Sequence, residues 1–179
     1  MNLETTVKKN LWMGVAFLAL SATSATANDW SGFYAGVGIG NLEVDPSAGG
    51  VKEDDTSYGV HAGYRFDAGQ WVFGGEFEYD WTDIDLAPTV SVDSVMRLKA
   101  TAGYDLGQTL LYVAAGAAEV DVDGLGNEWG EFFGIGAAYA VTPKGIISVE
   151  LLEHDFSDID GSGVDADAWI VNLRASWRF

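Results

Sequence analysis

The sequence predicts an all-β protein, an eight-stranded antiparallel up-and-down transmembrane β-barrel. Three observations point to it. Apolar and polar residues alternate with a period of two along most of the chain, through to its last stretch, "WIVNLRASWRF" at 169–179. The connections between these stretches alternate between short and long. One parity is apolar with aromatics toward both ends, and the strand cations all lie on the other.

The first 27 residues read as a cleaved export signal. Lys8 and Lys9 precede the apolar run "LWMGVAFLAL", and "ATA" at 25–27 supplies the small-x-small cleavage site. Residues 28–179 then form the barrel domain. Taking away Lys8, Lys9 and Glu4 from nine basic and 27 acidic residues leaves seven and 26, a net charge of −19. Such a balance argues against nucleic-acid binding, which needs cations for the phosphates. After residue 27 the longest apolar run is "LLYVAAGAA" at 110–118. It is far short of the ~20 residues a spanning helix needs. Cysteine is absent, which excludes disulfides, thiolate metal sites and lipid attachment at a cysteine.

The strands follow in order. "FYAGVGIG" sets Phe33, Ala35, Val37 and Ile39 against Tyr34 and three glycines. In the second, Tyr58, Val60, Ala62, Tyr64 and Phe66 oppose Ser57, Gly59, His61, Gly63 and Arg65. The third places Trp71, Phe73, Phe77, Tyr79 and Trp81 opposite Glu76, Glu78 and Asp80. In the fourth, Met96, Leu98 and Tyr104 oppose Arg97 and Lys99. Segments around 110–122, 132–141 and 146–155 alternate less cleanly, because Leu111, Val113, Phe132 and Leu152 fall on the polar parity and Glu131 and Glu153 on the apolar one. A strand end or bulge is expected near 131. The eighth strand is the closing stretch, with Arg174 and Arg178 on its polar face. Short connections fall at 67–70, 106–108 and 142–144, and longer acidic ones at 45–56, 82–90, 123–128 and 156–167. An even strand number with short turns at one end and longer loops at the other marks an outer-membrane barrel.

A soluble barrel of the lipocalin type would carry its charges outside, so the faces decide. Arg65, Arg97, Lys99, Arg174 and Arg178 share the polar parity, and Lys52 and Lys144 lie in connections. A cation facing hydrocarbon would cost about 2–4 kcal/mol at the midplane, so the apolar face is the lipid face. Its aromatics form two girdles. Phe66, Trp71, Tyr104, Tyr112, Tyr139, Trp177 and Phe179 stand at the short-turn end, and Tyr58, Tyr79, Trp81, Trp129 and Trp169 at the long-loop end.

The polar parity then faces a lumen just wide enough for side chains to fill. Charges there need partners. Counted from the short turns, Glu76, Lys99, Glu150 and Arg174 share one height, with Glu78, Arg97 and Glu119 a layer above and His61 among them. The expected pairs are Glu76–Lys99, Glu150–Arg174 and Glu78–Arg97, with opposed glycines making room for the long cations. His61 reads as a hydrogen-bonded lumen residue.

Two stretches invite chemistry and fall short of it. "DIDGSGVDADAW" imitates the first half of a calcium loop, but its twelfth position is Trp169 where a bidentate Glu is needed. The acidic loops suit weak, diffuse divalent cations, and no cofactor or dedicated metal site is expected. "EHDFSD" gathers Glu153, His154, Asp155 and Ser157, yet His154 and Ser157 are three apart on an extended chain and point to opposite faces. No enzymatic activity is expected.

"DWSGFYAGVGIG" at 29–40 resembles the opening strand, W-[ST]-G-x-Y-x-G, of small Gram-negative outer-membrane β-barrel proteins, the opacity-type and porin-family surface proteins related in fold to the OmpA transmembrane domain. "LRASWRF" resembles their closing strand. The resemblance implies a C-terminal assembly signal, carried here by Trp177 and Phe179 and read by the barrel assembly machinery after escort by periplasmic chaperones. It also implies a bilayer containing lipopolysaccharide as the surroundings. The end motifs name no activity, and cell-wall anchoring of longer relatives is not implied. The expected role is structural, in envelope integrity or surface presentation. The alternatives are a narrow cation-preferring channel and, more remotely, a lipid-modifying hydrolase.

Overall fold

The computed structural model describes residues 29–46, 53–87, 90–122, 126–156 and 166–179. The expected export signal, part of each acidic connection and residues 157–165, which hold most of the calcium-like stretch, lie outside them. Eight strands follow one another: β1 Gly32–Pro46, β2 Glu53–Asp67, β3 Trp71–Ala87, β4 Val90–Asp105, β5 Thr109–Val122, β6 Gly126–Ala140, β7 Gly145–Phe156 and β8 Ala166–Arg178. Each pairs antiparallel with its neighbours in sequence, and β8 returns to β1 to close the barrel. Closure leaves no strand edge through the body of the barrel, so the backbone polar groups there are satisfied within the wall, as hydrocarbon requires.

Two of the three short turns are built alike. In Asp67-Ala-Gly69-Gln and Asp105-Leu-Gly107-Gln, the carboxylate accepts the glycine N–H, at 2.8 Å and 2.6 Å. Both glycines have positive φ, 92° and 87°, which the missing Cβ makes inexpensive.

At the other end the strands extend into the expected loops. β3 continues to Ala87 and β4 resumes at Val90, and β1 reaches Pro46. Alternation persists there, in Thr82-Asp83-Ile84-Asp85-Leu86, so the ladder continues past the apolar band. The bulge expected near 131 is also absent. β6 runs through Glu131 with unbroken register, although its pairing with β7 stops at Glu131↔Asp155. Register shifts occur instead where β3 and β4 project, between Trp81 and Ile84 and between Asp85 and Ala87, and on β4–β5 between Val92 and Ser94.

The apolar parity of β1–β4 and β8 faces out. Phe33, Tyr58, Phe77, Leu98 and Leu173 are exposed, while their alternates turn inward. On β5 the expected parity is inverted. Leu111 and Val113 lie outside, and Leu110, Tyr112, Ala114, Ala118 and Val120 are buried. Both parities of this strand are apolar near the short turn, and the carboxylates of Glu119 and Asp121 farther along it share the outward parity.

Candidate functional site

From the short-turn end upward, the interior is filled in layers. Lowest is an apolar cluster of Trp30, Val72, Leu110, Tyr112, Ala138, Ala140 and Ile146. Arg65 lies next, its guanidinium carbon 4.3 Å from the Tyr34 ring centre and 6.0 Å from that of Tyr112. Contact with aromatic faces partly replaces the water this cation has lost. The two tyrosine hydroxyls point onward. Tyr34 Oη donates to Glu76 Oε2 at 2.7 Å and Tyr112 Oη to Glu150 Oε1 at 2.9 Å.

Above them sits the ionic layer. Strand register puts Glu76 opposite Lys99 and Glu78 opposite Arg97. Lys99 Nζ reaches three carboxylates: Glu78 at 2.7 Å, Glu150 at 2.7 Å and Glu76 at 3.3 Å. Arg174 grips Glu76 and Glu150, each at 2.7 Å, through different nitrogens, and lies 3.4 Å from Glu78. Arg97 contacts Glu78 at 2.8 Å and also binds Asp80. Its Nε–H donates to His154 Nε2 at 2.9 Å. The three cations and four carboxylates of this set are all buried, and Arg65 below them makes the fourth cation. His61 is buried as well, sharing a 2.7 Å hydrogen bond between Nε2 and Ser176 Oγ.

Two expected site residues stand elsewhere. Tyr112 is not in the outer girdle: only 6% exposed, it lies inside with its hydroxyl on Glu150. Glu119 is not in the lumen network. It shares the outward parity of β5, between Met96 on β4 and Trp129 on β6. That is the height of the upper aromatics, where a carboxylate meets headgroups and water rather than hydrocarbon. Phe66, Trp71, Tyr104, Trp177 and Phe179 are exposed near the short turns, and Tyr58, Trp81, Trp129 and Trp169 near the other rim. Tyr79 and Tyr139 are half-buried on the same outer face; Tyr79 packs on Trp81, and Tyr139 donates to Gln108.

Sequence reasoning sent Tyr34, Arg65 and Asp80 inward with the polar parity but left them out of the lumen network, and it missed Trp30 and His154 as members of the interior. Asp80 continues the parity of Glu76 and Glu78, and His154 that of Glu150, so both were within reach of the pattern. The glycines also act differently from expectation. A Cβ on Gly63 would meet Tyr34 Oη at 2.6 Å, and one on Gly36 would meet His61 Nε2 at 2.6 Å. Rings and His61 fill most of the room, while Arg174 passes over Gly38 and Arg65 over Gly74. Of "EHDFSD", His154 faces the lumen, Glu153 and Asp155 face out, and Ser157 lies outside the described residues.

The family model of the outer membrane protein beta-barrel domain matches residues 13–179. The chain belongs to this family. Among the relatives of this outer-membrane barrel is the 25 kDa outer-membrane immunogenic protein of Brucella abortus, 28% identical over 137 residues, or 63% of this chain and 64% of that protein. The match thus spans less than two thirds of the Brucella relative. The 22 kDa outer membrane protein of Rhizobium leguminosarum bv. viciae is 29% identical over 163 residues, covering 84% of this chain and 74% of its own. In fold, the chain resembles neisserial surface protein A, with a TM-score of 0.58 at 20% identity over 83% of this chain and 98% of that one. The protein is an outer-membrane β-barrel protein.

Proposed function

We propose that this barrel serves the envelope as a closed structural element and surface protein rather than as a pore. The observation that carries the reading is Lys99, whose ammonium bridges carboxylates from β3 and β7 across the lumen. Opening a path would strip these ions of their partners without giving them bulk water, which is strongly unfavourable. On this reading the export signal is cleaved after Ala27, and chaperones deliver the chain to the assembly machinery. That machinery reads the β8 end at Trp177 and Phe179, both exposed on the outer wall. The acidic connections then meet lipopolysaccharide through loosely held divalent cations, which screen like charge. No covalent chemistry is assigned to the barrel.

A strain lacking the gene tests the role. It should take up more of a hydrophobic dye and tolerate less detergent, and a plasmid copy should restore both. Unchanged barrier properties would remove the envelope role.

A further inference from the structure

Segment 29–32, the "DWSG" that opens the chain's family motif, lies across the short-turn mouth instead of merely leading into β1. We infer that it is a stopper, with Trp30 as its head, forming a second seal in series with the ion pairs; this inference rests on the closed-lumen reading and names where the other closure lies.

Trp30 is 1% exposed although it precedes the first strand. It shares the parity of Tyr34, so β1's inward face is continued past its start. Gly32, with φ of 129°, permits the change of direction there. The indole reaches the opposite wall: Nε1–H donates to Asp105 Oδ1 at 3.1 Å and to Gly107 O at 3.2 Å, at the β4–β5 turn. In a ring of eight strands, β5 stands diametrically opposite β1. The near side is fastened too. Trp30 N–H donates to Asp67 Oδ2 at 3.0 Å, and Asp67 N–H donates to Ser31 Oγ at 3.0 Å. On the β8 side, Arg178 donates to both Asp29 O and Pro143 O, tying the segment to the β6–β7 turn.

The two aspartates that shape the twin turns therefore also hold the stopper. Its inner surface rests on Val72, Leu110 and Ile146, and the Arg65 guanidinium lies 5.8 Å from the ring centre. A large indole with its one donor satisfied at the rim suits a plug with a dry inner face and a wet outer one.

The chain has no cysteine, so Ser148→Cys introduces a single, nearly isosteric thiol. Ser148 is buried on β7 between Ile146 of the apolar cluster and Glu150 of the ion pairs, and so lies between the two seals. Refolded S148C in lipid vesicles, with folding checked by a heat-modifiable gel band, would be treated with a cationic methanethiosulfonate reagent. Folded S148C should resist labelling. W30A/S148C should label at least about tenfold faster, the loss of protection expected when a local closure is removed. Should W30A fail to fold, W30L, which lacks both indole hydrogen bonds, must still label faster than the parent. Equal rates with and without Trp30 in a folded pair would overturn the stopper and leave the closed-lumen reading standing. Current through the wild-type barrel would sink that reading instead, whatever Trp30 does.

Discussion

On β7, Ile146 packs in the apolar cluster, and Glu150, four residues further, is bound by Lys99 and Arg174. β3 makes the same change between Val72 and Glu76. The short-turn end of the lumen is filled by apolar contact, and the middle by ion pairs. Their failures should differ accordingly. An apolar side chain removed from the cluster takes only its own contacts and leaves a cavity. An ion removed from the middle leaves its partners buried and uncompensated. Tyr34 and Tyr112 join the regions, with rings against Arg65 below and hydroxyls on glutamates above.

The largest effect is therefore expected in the middle. Arg174→Met should lower unfolding stability in lipid vesicles by about 3–5 kcal/mol, read from urea titrations. Adding Glu150→Gln should recover part of that loss, because one stranded charge goes too. A loss as large in the double variant would break the contrast between the regions. At the short-turn end, Leu110→Ala should cost about 2–4 kcal/mol, with no rescue by neutralising any glutamate. Tyr34→Phe, at the join, should cost about 1.5 kcal/mol, the value of a hydrogen bond to a charged acceptor. The smallest change is expected at Glu119, on the outer face near the rim. Glu119→Gln should shift stability by less than about 0.5 kcal/mol. A loss comparable to Arg174→Met would return Glu119 to the interior.

How far the sequence revealed this depended on where its two parities differ in chemistry. β2, β3, β4 and β8 each set charge against aromatics, so face and height could be counted from the turns. That count places Glu76 opposite Lys99. β5 offers leucine, valine or alanine on both sides, and there the direction failed at Tyr112 and Glu119. The rule that charge points inward holds only within the apolar band; Glu119 stands beside Trp129, at its upper edge. Tyr112 was misplaced because an aromatic reads as lipid-facing by composition, and Trp30 was missed because it precedes the first alternating stretch. Inside, Tyr34 and Tyr112 lie over Gly63 and Gly136, partners that alternation along one strand does not reveal. The projecting ends of β3 and β4 were read as loops because acidic residues suggested solvent, although alternation continued through them.

Single-channel recording of the refolded, heat-modifiable protein in a planar bilayer tests the closed lumen most directly. The account predicts no steady current at moderate voltage, since ion pairs and an apolar cluster close the lumen in series. A steady cation-selective current that changes on Glu76→Gln or Glu150→Gln would contradict it and make the ionic layer a gate.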